Sequence, residues 1–485
     1  MFTTSKQSWI ASFFLLLLSG ITFTANAAGL TSSTAEPLNL TSSTLGFVAV
    51  GIFIIAYSLV IAEEKIHLRK SKPVTFAAGV IWLLIGWIYT QHGLSDLANA
   101  ALKHNFLEFA ELMLFLLVAM TYIAALEDRR VFDVLRVKLI QSKLSYRKLF
   151  WLTGILAFLL SPVADNLTTA LIMCSVVLAV GKDNDKFVSL GCINIVVAAN
   201  AGGAFSPFGD ITTLMVWQKG IIQFQEFLPL IVPSIVNFVV PAAIMSYFLS
   251  SETPSAEEET VELKRGAKRI VVLFILTIIT AVSFHGLFHL PPVMGMMLGL
   301  SYLQFFGYFL KRSLPSSISR KRLRYAHDEA RLTELKRVRP FNFFANVARA
   351  EWDTLIFFFG VIMCVGGLGF LGYLSLISNT LYGNWDATYA NVFLGVLSAL
   401  IDNIPVMFAI LTMNPDMGLG QWLLVTLTCG VGGSLLSIGS AAGVALMGQA
   451  RGKYTFFSHL KWSWAVALGY VASILCHLWL NSSLF

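Results

Sequence analysis

Apolar stretches long enough to cross a lipid bilayer recur along this chain, and the charged residues are bunched in the segments between them. A helix needs roughly 20 apolar residues to span the hydrocarbon core. The composition agrees, because 56% of the 485 residues are hydrophobic and 13% are charged, whereas a soluble domain has about 25% charged residues. The sequence therefore predicts an all-α polytopic membrane protein and argues against a soluble one.

The N-terminus has the features of a secretory signal peptide. Lys6 precedes an apolar segment at 9–23, and Ala25-Asn26-Ala27 matches a small-residue cleavage site. An uncleaved first helix is the alternative. The segment 31–44 that follows has no Lys or Arg, so it can be translocated easily. We therefore expect a signal peptide at 1–27 and a mature N-terminus on the periplasmic side of a bacterial inner membrane.

Twelve apolar segments are candidates for membrane insertion, and eight of them have the length of a simple span. The eight lie at about 44–62, 74–91, 106–126, 224–249, 269–287, 292–311, 354–378 and 461–482. The other four segments are interrupted. Asp-Asn sequences interrupt 149–180 and 388–414, whereas glycine clusters interrupt 186–218 and 420–450.

The distribution of Lys and Arg distinguishes between the possible topologies. If 149–180 and 388–414 are re-entrant hairpins and the other ten segments cross, the loops rich in Lys and Arg all face the cytoplasm, as the positive-inside rule requires. The C-terminus is then periplasmic, like the N-terminus. The net charge of +7 is accounted for by topology, so we expect no nucleic-acid partner.

Two sequence patterns occur twice, in the same order. Asp165-Asn166 lies in the first predicted hairpin and Asp402-Asn403 in the second, and each is followed by Gly-Gly-x₅-Gly, which begins at Gly202 and at Gly432. Glycine-interrupted segments at corresponding positions of two halves are typical of transporter binding sites.

These repeated patterns predict two inverted repeats. Each half has five crossings, an odd number, so the second copy has the opposite orientation in the membrane. We predict a first repeat at 44–249, a cytoplasmic linker at 250–268 and a second repeat at 269–482, which contains a cytoplasmic loop at 312–353. Each repeat has five transmembrane helices, one of which is discontinuous, and one re-entrant hairpin.

Polar residues at the interruptions predict a cation site. A helix break inside a membrane must face protein or a wet cavity, where backbone carbonyls and side-chain oxygens can bind a hard cation. The candidate residues for cation or proton binding are Asp165, Asn166, Asn200, Asp210, Thr212, Thr213, Asp402, Asn403, Ser437 and Ser440.

The absence of basic residues supports a cation as the substrate. No Lys or Arg lies within 149–180, 187–218, 388–414 or 420–450. An anionic substrate would require positive partners or bare helix N-termini, so a carboxylate-lined centre without Lys or Arg favours a cation.

The three aspartates of this centre can account for exchange. A carboxylate inside the membrane costs about 2.5–3.5 kcal/mol, so it is usually functional. Burial favours the protonated carboxyl and a bound cation favours the ionised one, so one Asp can hold either H⁺ or Na⁺. We expect Na⁺ at Asp165, Asp210, Asn166 and Asn403, with Asp210 or Asp165 as the shared group. The alternative is that Asp165, Asp210 and Asp402 merely cap helix N-termini.

Other polar residues give weaker indications. Asp353, at the start of a predicted span, is a candidate for proton entry or an ordinary helix N-terminal acid. His285 and His289 lie four residues apart, but no acid or Cys accompanies them as a further metal ligand. The chain has no phosphate-binding loop and no nucleophile–base set. We therefore expect neither an enzyme nor an ATP-driven pump, and no cofactor.

The motifs around these residues resemble those of NhaD-type Na⁺/H⁺ antiporters of the ion transporter superfamily. The motifs are SPVADNLTTALIM (161–173), NAGGAFSPFGDITTLMVW (200–217), SALIDNIPVMFAIL (398–411) and GVGGSLLSIGSAAGVALMGQARGKYTF (430–456). The resemblance covers about 40–480. It implies inverted halves with paired hairpins, an elevator-like movement, a homodimer in the lipid bilayer, and exchange of Na⁺ and Li⁺ for H⁺.

Two other functions remain as alternatives. An anion or metalloid permease, similar to arsenite permeases, can have the same fold. Carboxylate carriers of this superfamily typically have Ser-Asn-Thr at each hairpin tip, where this chain has Asp165-Asn166-Leu167 and Asp402-Asn403-Ile404. A channel or a non-transporting membrane scaffold is the second alternative, against which the paired inverted breaks argue.

Overall fold

The computed structural model describes residues 37–66, 68–142, 144–181, 184–253, 261–324 and 340–485, which form helices and turns without any strand. The predicted signal peptide at 1–27 and residues 325–339 of the predicted cytoplasmic loop 312–353 lie outside these ranges.

The helices before residue 250 make up the first half of the molecule. They are α1 (Thr44–Ile61), α2 (Glu63–Ile66), α3 (Ser71–Gln91), α4 (Ser95–Asp128), α5 (Val131–Gln141), α6 (Tyr146–Ala164), α7 (Asn166–Val180), α8 (Asp185–Gly203), α9 (Ile211–Gln218) and, after a 3₁₀ helix at Phe224–Leu230, α10 (Ile231–Tyr247).

The helices after residue 260 make up the second half. They are α11 (Ala267–Phe288), α12 (Pro292–Arg312), α13 (Leu314–Arg324), α14 (Phe343–Ala348), α15 (Trp352–Phe370), α16 (Tyr373–Asn384), α17 (Ala387–Leu397), α18 (Asn403–Met413), α19 (Leu419–Gly432), α20 (Ala441–Gln449), α21 (Phe456–Leu460) and α22 (Ser463–Leu480).

Ten helices of the described residues are long and apolar enough to cross a membrane. This confirms the prediction of an all-α polytopic membrane protein. Eight of the ten coincide with the eight simple spans predicted from the sequence. The other two are α6, which is the first arm of the predicted hairpin 149–180, and α8, which is the first part of the predicted discontinuous helix 186–218. Length and composition alone would therefore let α6 cross, and the hairpin stays a prediction.

Burial separates the central helices from the outer ones. In the most apolar window of α8, 89% of the residues are buried inside the protein, against 22% in α1 and in α11. Residues of a membrane protein that are exposed and apolar can face lipid at no cost. The core of the molecule therefore surrounds α8, and α1 and α11 form part of the outer surface.

The two Asp-Asn interruptions are short breaks between helices. A single residue, Asp165, separates α6 from α7, and its φ of 55° and ψ of 160° lie outside the regions that ordinary residues favour. In the second half, residues 398–402 separate α17 from α18. Pro405 is in the first turn of α18, where a missing backbone N–H is tolerated.

The Gly-Gly sequences allow each broken helix to touch the backbone of its neighbour. A side chain at Gly202 would place its Cβ atom 2.3 Å from the Phe158 carbonyl oxygen in α6, and one at Gly432 would place it 2.1 Å from the Gly395 carbonyl oxygen in α17. Only glycine allows so close an approach. As a result, α8 packs on α6 and α19 packs on α17.

A pair of serine hydrogen bonds supports these two contacts. The Ser161 hydroxyl, near the end of α6, donates to the Ala199 carbonyl oxygen at 2.7 Å. The Ser398 hydroxyl, just after α17, donates to the Gly395 carbonyl oxygen of its own helix at 2.7 Å and shares its proton with the Cys429 carbonyl oxygen at 3.2 Å. The same kind of bond thus joins a hairpin to a broken helix in each half.

The second parts of the broken helices exchange partners between the halves. Helix α20 packs on α7, and helix α9 packs on α18. Because each short helix lies against the hairpin of the other half, all four interruptions meet in one region of the molecule.

Candidate functional site

A cavity of about 90 Å³ lies where the four interruptions meet, with room for several water molecules. Helices α4 and α15 complete its wall. Seven of the ten candidate residues line the cavity, namely Asp165, Asn166, Asn200, Asp210, Asp402, Asn403 and Ser440. The structure thus brings together polar residues that are up to 275 positions apart in the chain.

Asp210 joins the broken helix of the first half to the hairpin. It is the N-terminal cap of α9: its Oδ1 accepts from the Thr212 backbone N–H at 2.9 Å and from the Thr212 hydroxyl at 2.8 Å. Its Oδ2 accepts from the Asn166 amide at 2.8 Å. Asp210 is therefore a cap, but capping uses only one of its two oxygens.

Asn166 is oriented by its own neighbours. Its Oδ1 lies 2.6 Å from the Ser161 hydroxyl, whose single proton is shared with the Ala199 carbonyl oxygen, and its amide nitrogen points towards Asp210. A Cβ atom at Gly203 would lie 2.2 Å from Asn166 Oδ1. The second glycine of the Gly-Gly pair therefore provides the space that the Asn166 side chain occupies.

Asp165 is held by the first turn of α7. Its Oδ1 accepts from the Thr168 backbone N–H at 2.8 Å, and its Oδ2 accepts from the Thr168 hydroxyl at 2.9 Å. Both oxygens therefore have donors, and the carboxyl group is fixed at the wall of the cavity.

Asp402 has a different environment from the other two aspartates. Its Oδ1 is buried and accepts no hydrogen bond from the described part of the chain. Its Oδ2 lies 3.9 Å from Nζ of Lys70, the residue that precedes α3. The Lys70 ammonium also lies 4.5 Å from the centre of the Phe357 ring.

The presence of Lys70 corrects one expectation. The sequence predicted a centre without Lys or Arg, yet Lys70 lines the cavity. Lys70 lies outside the four interrupted segments, in a loop that the charge distribution assigns to the cytoplasm. Its long side chain reaches the hairpin turn from the N-terminal cap of α3, a helix that packs on α15.

Asn200 and Asn403 provide amides within the cavity. Asn200 is fully buried, and neither its Oδ1 nor its Nδ2 has a hydrogen-bond partner in the described residues. A buried polar group without a partner costs about 1–3 kcal/mol, so Asn200 is suited to contact an ion or its water. Asn403 is buried at the start of α18, and Ser440 caps α20 by accepting from the Gly443 N–H at 3.3 Å.

Three candidate residues lie outside the cavity wall. Thr212 acts through Asp210, whose Oδ1 it contacts twice. The Thr213 hydroxyl donates to the Ala204 carbonyl oxygen at 3.1 Å. The Ser437 hydroxyl is buried without a hydrogen-bond partner in the described residues, so it could turn towards an ion in the unwound segment.

Glu351, which the sequence analysis did not select, lines the cavity, whereas Asp353 does not. Asp353 accepts from the Ser71 hydroxyl at 2.5 Å. Glu351 Oε2 accepts from the Thr354 hydroxyl at 3.2 Å. Burial raises the pKa of the Glu351 carboxyl group, and the Thr354 hydrogen bond acts in the opposite direction. Its position immediately before a predicted span was the only signal in the sequence.

The charges of the cavity are unbalanced. Among the residues that the structure describes, four carboxyl groups line it, from Asp165, Asp210, Asp402 and Glu351, and Lys70 is the one basic side chain that does. Carboxylates that share a low-dielectric site cannot all be ionised without cations. Four acids beside one ammonium thus give the wall of the cavity an excess of acidic groups.

A second cavity, of about 50 Å³, is lined by α4, α9, α15 and α18, four of the helices that also line the first. Its polar residues include Glu108 and Glu111 from α4 and Lys219 just after α9. The Lys219 ammonium donates to Glu108 Oε1. Helices α4, α9 and α18, for example, each contribute residues to both cavities. The second cavity is lined by Leu112, Met215 and Phe408, and the first by Phe115, Leu214 and Ile404.

Comparison with known proteins places these features in a family. Residues 57–430 match a family model described as "Citrate transporter". The chain is 62% identical to "Na(+)/H(+) antiporter NhaD" of Alkalimonas amylolytica, over 99% of this chain and 98% of that protein. It is 61% identical to the protein of the same name from Vibrio cholerae, over 93% of this chain and 95% of that protein.

More distant relatives have related names. "Sodium/proton antiporter 1" of Arabidopsis thaliana is 30% identical, over 93% of this chain and 75% of that protein. Among solved structures, the YdaH transporter of Alcanivorax borkumensis matches with a TM-score of 0.44 and 14% identity, over 81% of this chain and 90% of that one.

Proposed function

Because the chain belongs to the family of NhaD-type Na⁺/H⁺ antiporters, we propose that it is a secondary transporter that exchanges Na⁺, and also Li⁺, for H⁺ across a bacterial inner membrane. The relatives are transporters rather than enzymes, in agreement with the sequence analysis. The observation that carries the proposal is the convergence of Asp165, Asp210 and Asp402 on one buried cavity.

In the proposed mechanism, Asp210 is the group shared between H⁺ and Na⁺. The hydrogen bonds from Thr212 fix one carboxylate oxygen of Asp210, and the amide of Asn166 holds the other oxygen at the cavity. Na⁺ bound at Asp210 Oδ2 can take further oxygen ligands from Asn166, after its amide turns. The other ligands come from the same cavity wall, namely Asp165, Asn200, Asp402 and Asn403. Binding of Na⁺ favours the ionised carboxyl group, so Na⁺ entry releases a proton and proton entry expels Na⁺.

Alternating access supplies the transport step in this proposal. The Ser161 and Ser398 hydrogen bonds and the Gly202 and Gly432 contacts recur in both halves, which supports two inverted repeats. Lys70 and Glu351 belong to loops that the charge distribution assigns to the cytoplasm, and both line the cavity. We assign this conformation to the state that faces the cytoplasm, and the cavity beside Glu108 to the periplasmic end of the pathway.

Glu351 takes the place of Asp353 as the candidate for proton entry. Its carboxyl group lines the cavity, whereas the Asp353 carboxylate is bonded to Ser71. The homodimer and the periplasmic position of both termini remain part of the proposal.

An anion or metalloid permease is the competing function, and the family model described as a citrate transporter makes it necessary to test. The charge of the cavity argues against it. The basic side chain that lines the cavity is already paired with Asp402, so a carboxylate substrate would face acids on every side.

Proton movement in everted membrane vesicles tests the proposal. A pH-sensitive dye reports the loss of a preformed pH gradient when Na⁺, Li⁺, K⁺ or citrate is added. We expect a response to Na⁺ and Li⁺, and loss of that response in Asp210→Asn. Asp386→Asn is the matched control, because Asp386 caps α17 through Thr388 in the same way but does not line the cavity. A response to citrate without a response to Na⁺ would contradict the proposal.

A further inference from the structure

The three aspartates of the cavity differ in how their oxygens are satisfied. Asp165 and Asp210 each accept hydrogen bonds at both oxygens. Asp402 instead has one buried oxygen, Oδ1, without a hydrogen-bond partner among the described residues. A buried carboxylate oxygen without a donor is costly. Asp402 is therefore the carboxylate of this cavity that most requires a cation.

The cation nearest to Asp402 is part of the protein. Nζ of Lys70 lies 3.9 Å from Asp402 Oδ2, which is too long for a hydrogen bond but short enough for a strong electrostatic attraction in a partly buried site. The Phe357 ring, 4.5 Å from the ammonium on another side, stabilises the charge by a cation–π contact. The nearby Lys72 does not line the cavity, and it is exposed.

An ammonium and a Na⁺ ion compete for the same carboxylate. Each carries one positive charge, and each would neutralise Asp402. In a low-dielectric cavity the two cations also repel each other, so a Na⁺ ion that approaches Asp402 disfavours the Lys70 contact.

We propose that the Lys70 ammonium is a built-in competitor that occupies Asp402 when the site holds no Na⁺ and is displaced when Na⁺ binds. The proposal rests on the proposed Na⁺/H⁺ exchange and adds a residue to it. Lys70 thereby sets the Na⁺ concentration at which the site fills, and it keeps Asp402 neutralised while the site is empty.

Displacement of Lys70 also changes a contact between two parts of the molecule. Lys70 directly precedes α3, which packs on α1 and α15, whereas Asp402 ends the turn between α17 and α18. The ion pair therefore connects α3 to the second hairpin. Na⁺ binding at Asp402 would therefore remove one of the contacts that hold the second hairpin, while α18 keeps its packing on α15 and α9.

The apparent KM for Na⁺ in everted vesicles, at one fixed pH, tests the competition. Lys70→Gln should lower the KM by about tenfold, which corresponds to about 1.4 kcal/mol. Lys72→Gln removes the same charge from the same region and should leave the KM within about twofold of the wild type. Lys70→Arg keeps the charge and should also stay near the wild type. An unchanged or raised KM in Lys70→Gln overturns the proposal.

Thermal unfolding of the purified full-length protein in detergent gives a readout that does not depend on transport. With choline chloride keeping the ionic strength constant, Na⁺ should stabilise Lys70→Gln at lower concentrations than it stabilises the wild type. In the Asp402→Asn background, Lys70→Gln should produce no such difference. Lys70→Met is used in the same assay should the glutamine variant fail to accumulate.

The two proposals fail in different ways. Wild-type vesicles that move no protons on addition of Na⁺ would refute the exchange itself. Normal exchange in the wild type, together with equal Na⁺ concentrations for the stabilisation of wild type and Lys70→Gln, would refute only the role of Lys70.

Discussion

Gly203→Ala tests whether the orientation of Asn166 matters for cation binding. The added Cβ atom would lie 2.2 Å from Asn166 Oδ1 and 3.1 Å from the Gly209 carbonyl oxygen, whereas about 3.5–4.0 Å is the favourable separation of non-bonded atoms. Asn166 must therefore move by about 1 Å or more. Because the obstructing atom is at the end of a side chain, the helix itself can remain in place.

The expected magnitude follows from the ligand that is lost. The Asn166 amide lies 2.8 Å from Asp210, and in the proposed mechanism it turns to offer its oxygen to Na⁺. A polar contact to a charged group contributes about 1.5–3 kcal/mol. If Asn166 is displaced and no longer contacts the ion, the affinity for Na⁺ falls by about 10- to 100-fold. We therefore expect the apparent KM for Na⁺ to rise by that factor.

The assay is again dissipation of a pH gradient in everted vesicles at increasing Na⁺. Gly86→Ala in α3 is the matched control, because no atom lies within 4 Å of a Cβ added there. Equal KM values for Gly203→Ala and Gly86→Ala, at equal amounts of protein, would refute this account of the site. A further rise in KM when Gly203→Ala is added to Asn166→Ala would show that the alanine acts through another contact.

Three further predictions concern other parts of the site. Ser437→Ala should raise the apparent KM for Na⁺ by several-fold without abolishing exchange, because it removes one neutral oxygen; an unchanged KM would remove Ser437 from the ligand set. In the wild type, the Glu351 carboxyl group, whose pKa is raised by burial, becomes negatively charged as pH increases and should then attract Na⁺. The KM of the wild type for Na⁺ should therefore fall with increasing pH. Glu351→Gln should flatten this dependence and leave a higher KM at alkaline pH. Identical pH profiles of the two proteins would contradict this role of Glu351. Gly432→Ala places a Cβ atom 2.1 Å from the Gly395 carbonyl oxygen and should lower the free energy of unfolding by about 1–3 kcal/mol. Gly448→Ala is the control and should not lower it, because no atom lies within 4 Å of the added Cβ atom. Equal thermal stability of the two variants would mean that α17 can move aside.

The sequence predicted the class of the protein and the position of its spans well, because hydropathy and charge asymmetry are local properties. Each of the eight simple spans coincides with a helix in the structure. Boundaries were less accurate: α4 begins at Ser95, eleven residues before the predicted start at 106, since its first turns contain Asp96, Lys103 and His104 and lower the local hydropathy.

The candidate site was predictable to the extent that it lies on the repeated motifs. Asp165, Asp210 and Asp402 share one cavity, as the paired interruptions suggested. Lys70 and Glu351 could not be predicted, because they are ordinary loop charges by sequence and reach the cavity only through the packing of α3 and α15. Thr212 was predicted as a ligand from the motif but does not line the cavity. Its hydroxyl instead donates to the Asp210 carboxylate.

The exchange of partners between the two halves has a consequence for the origin of the protein. Helix α20 covers α7, and α9 covers α18, so the first half on its own would leave α7 uncovered and the second half would leave α18 uncovered. A half-length ancestor would therefore have had no complete cavity as a single chain. If the two halves are inverted repeats, as we propose, it would have needed a second copy of itself in the opposite orientation in the same membrane. Duplication and fusion of such a gene would then have allowed the two copies to diverge, and the helix caps at matching positions, Asp210 and Ser440, are where such divergence would be seen.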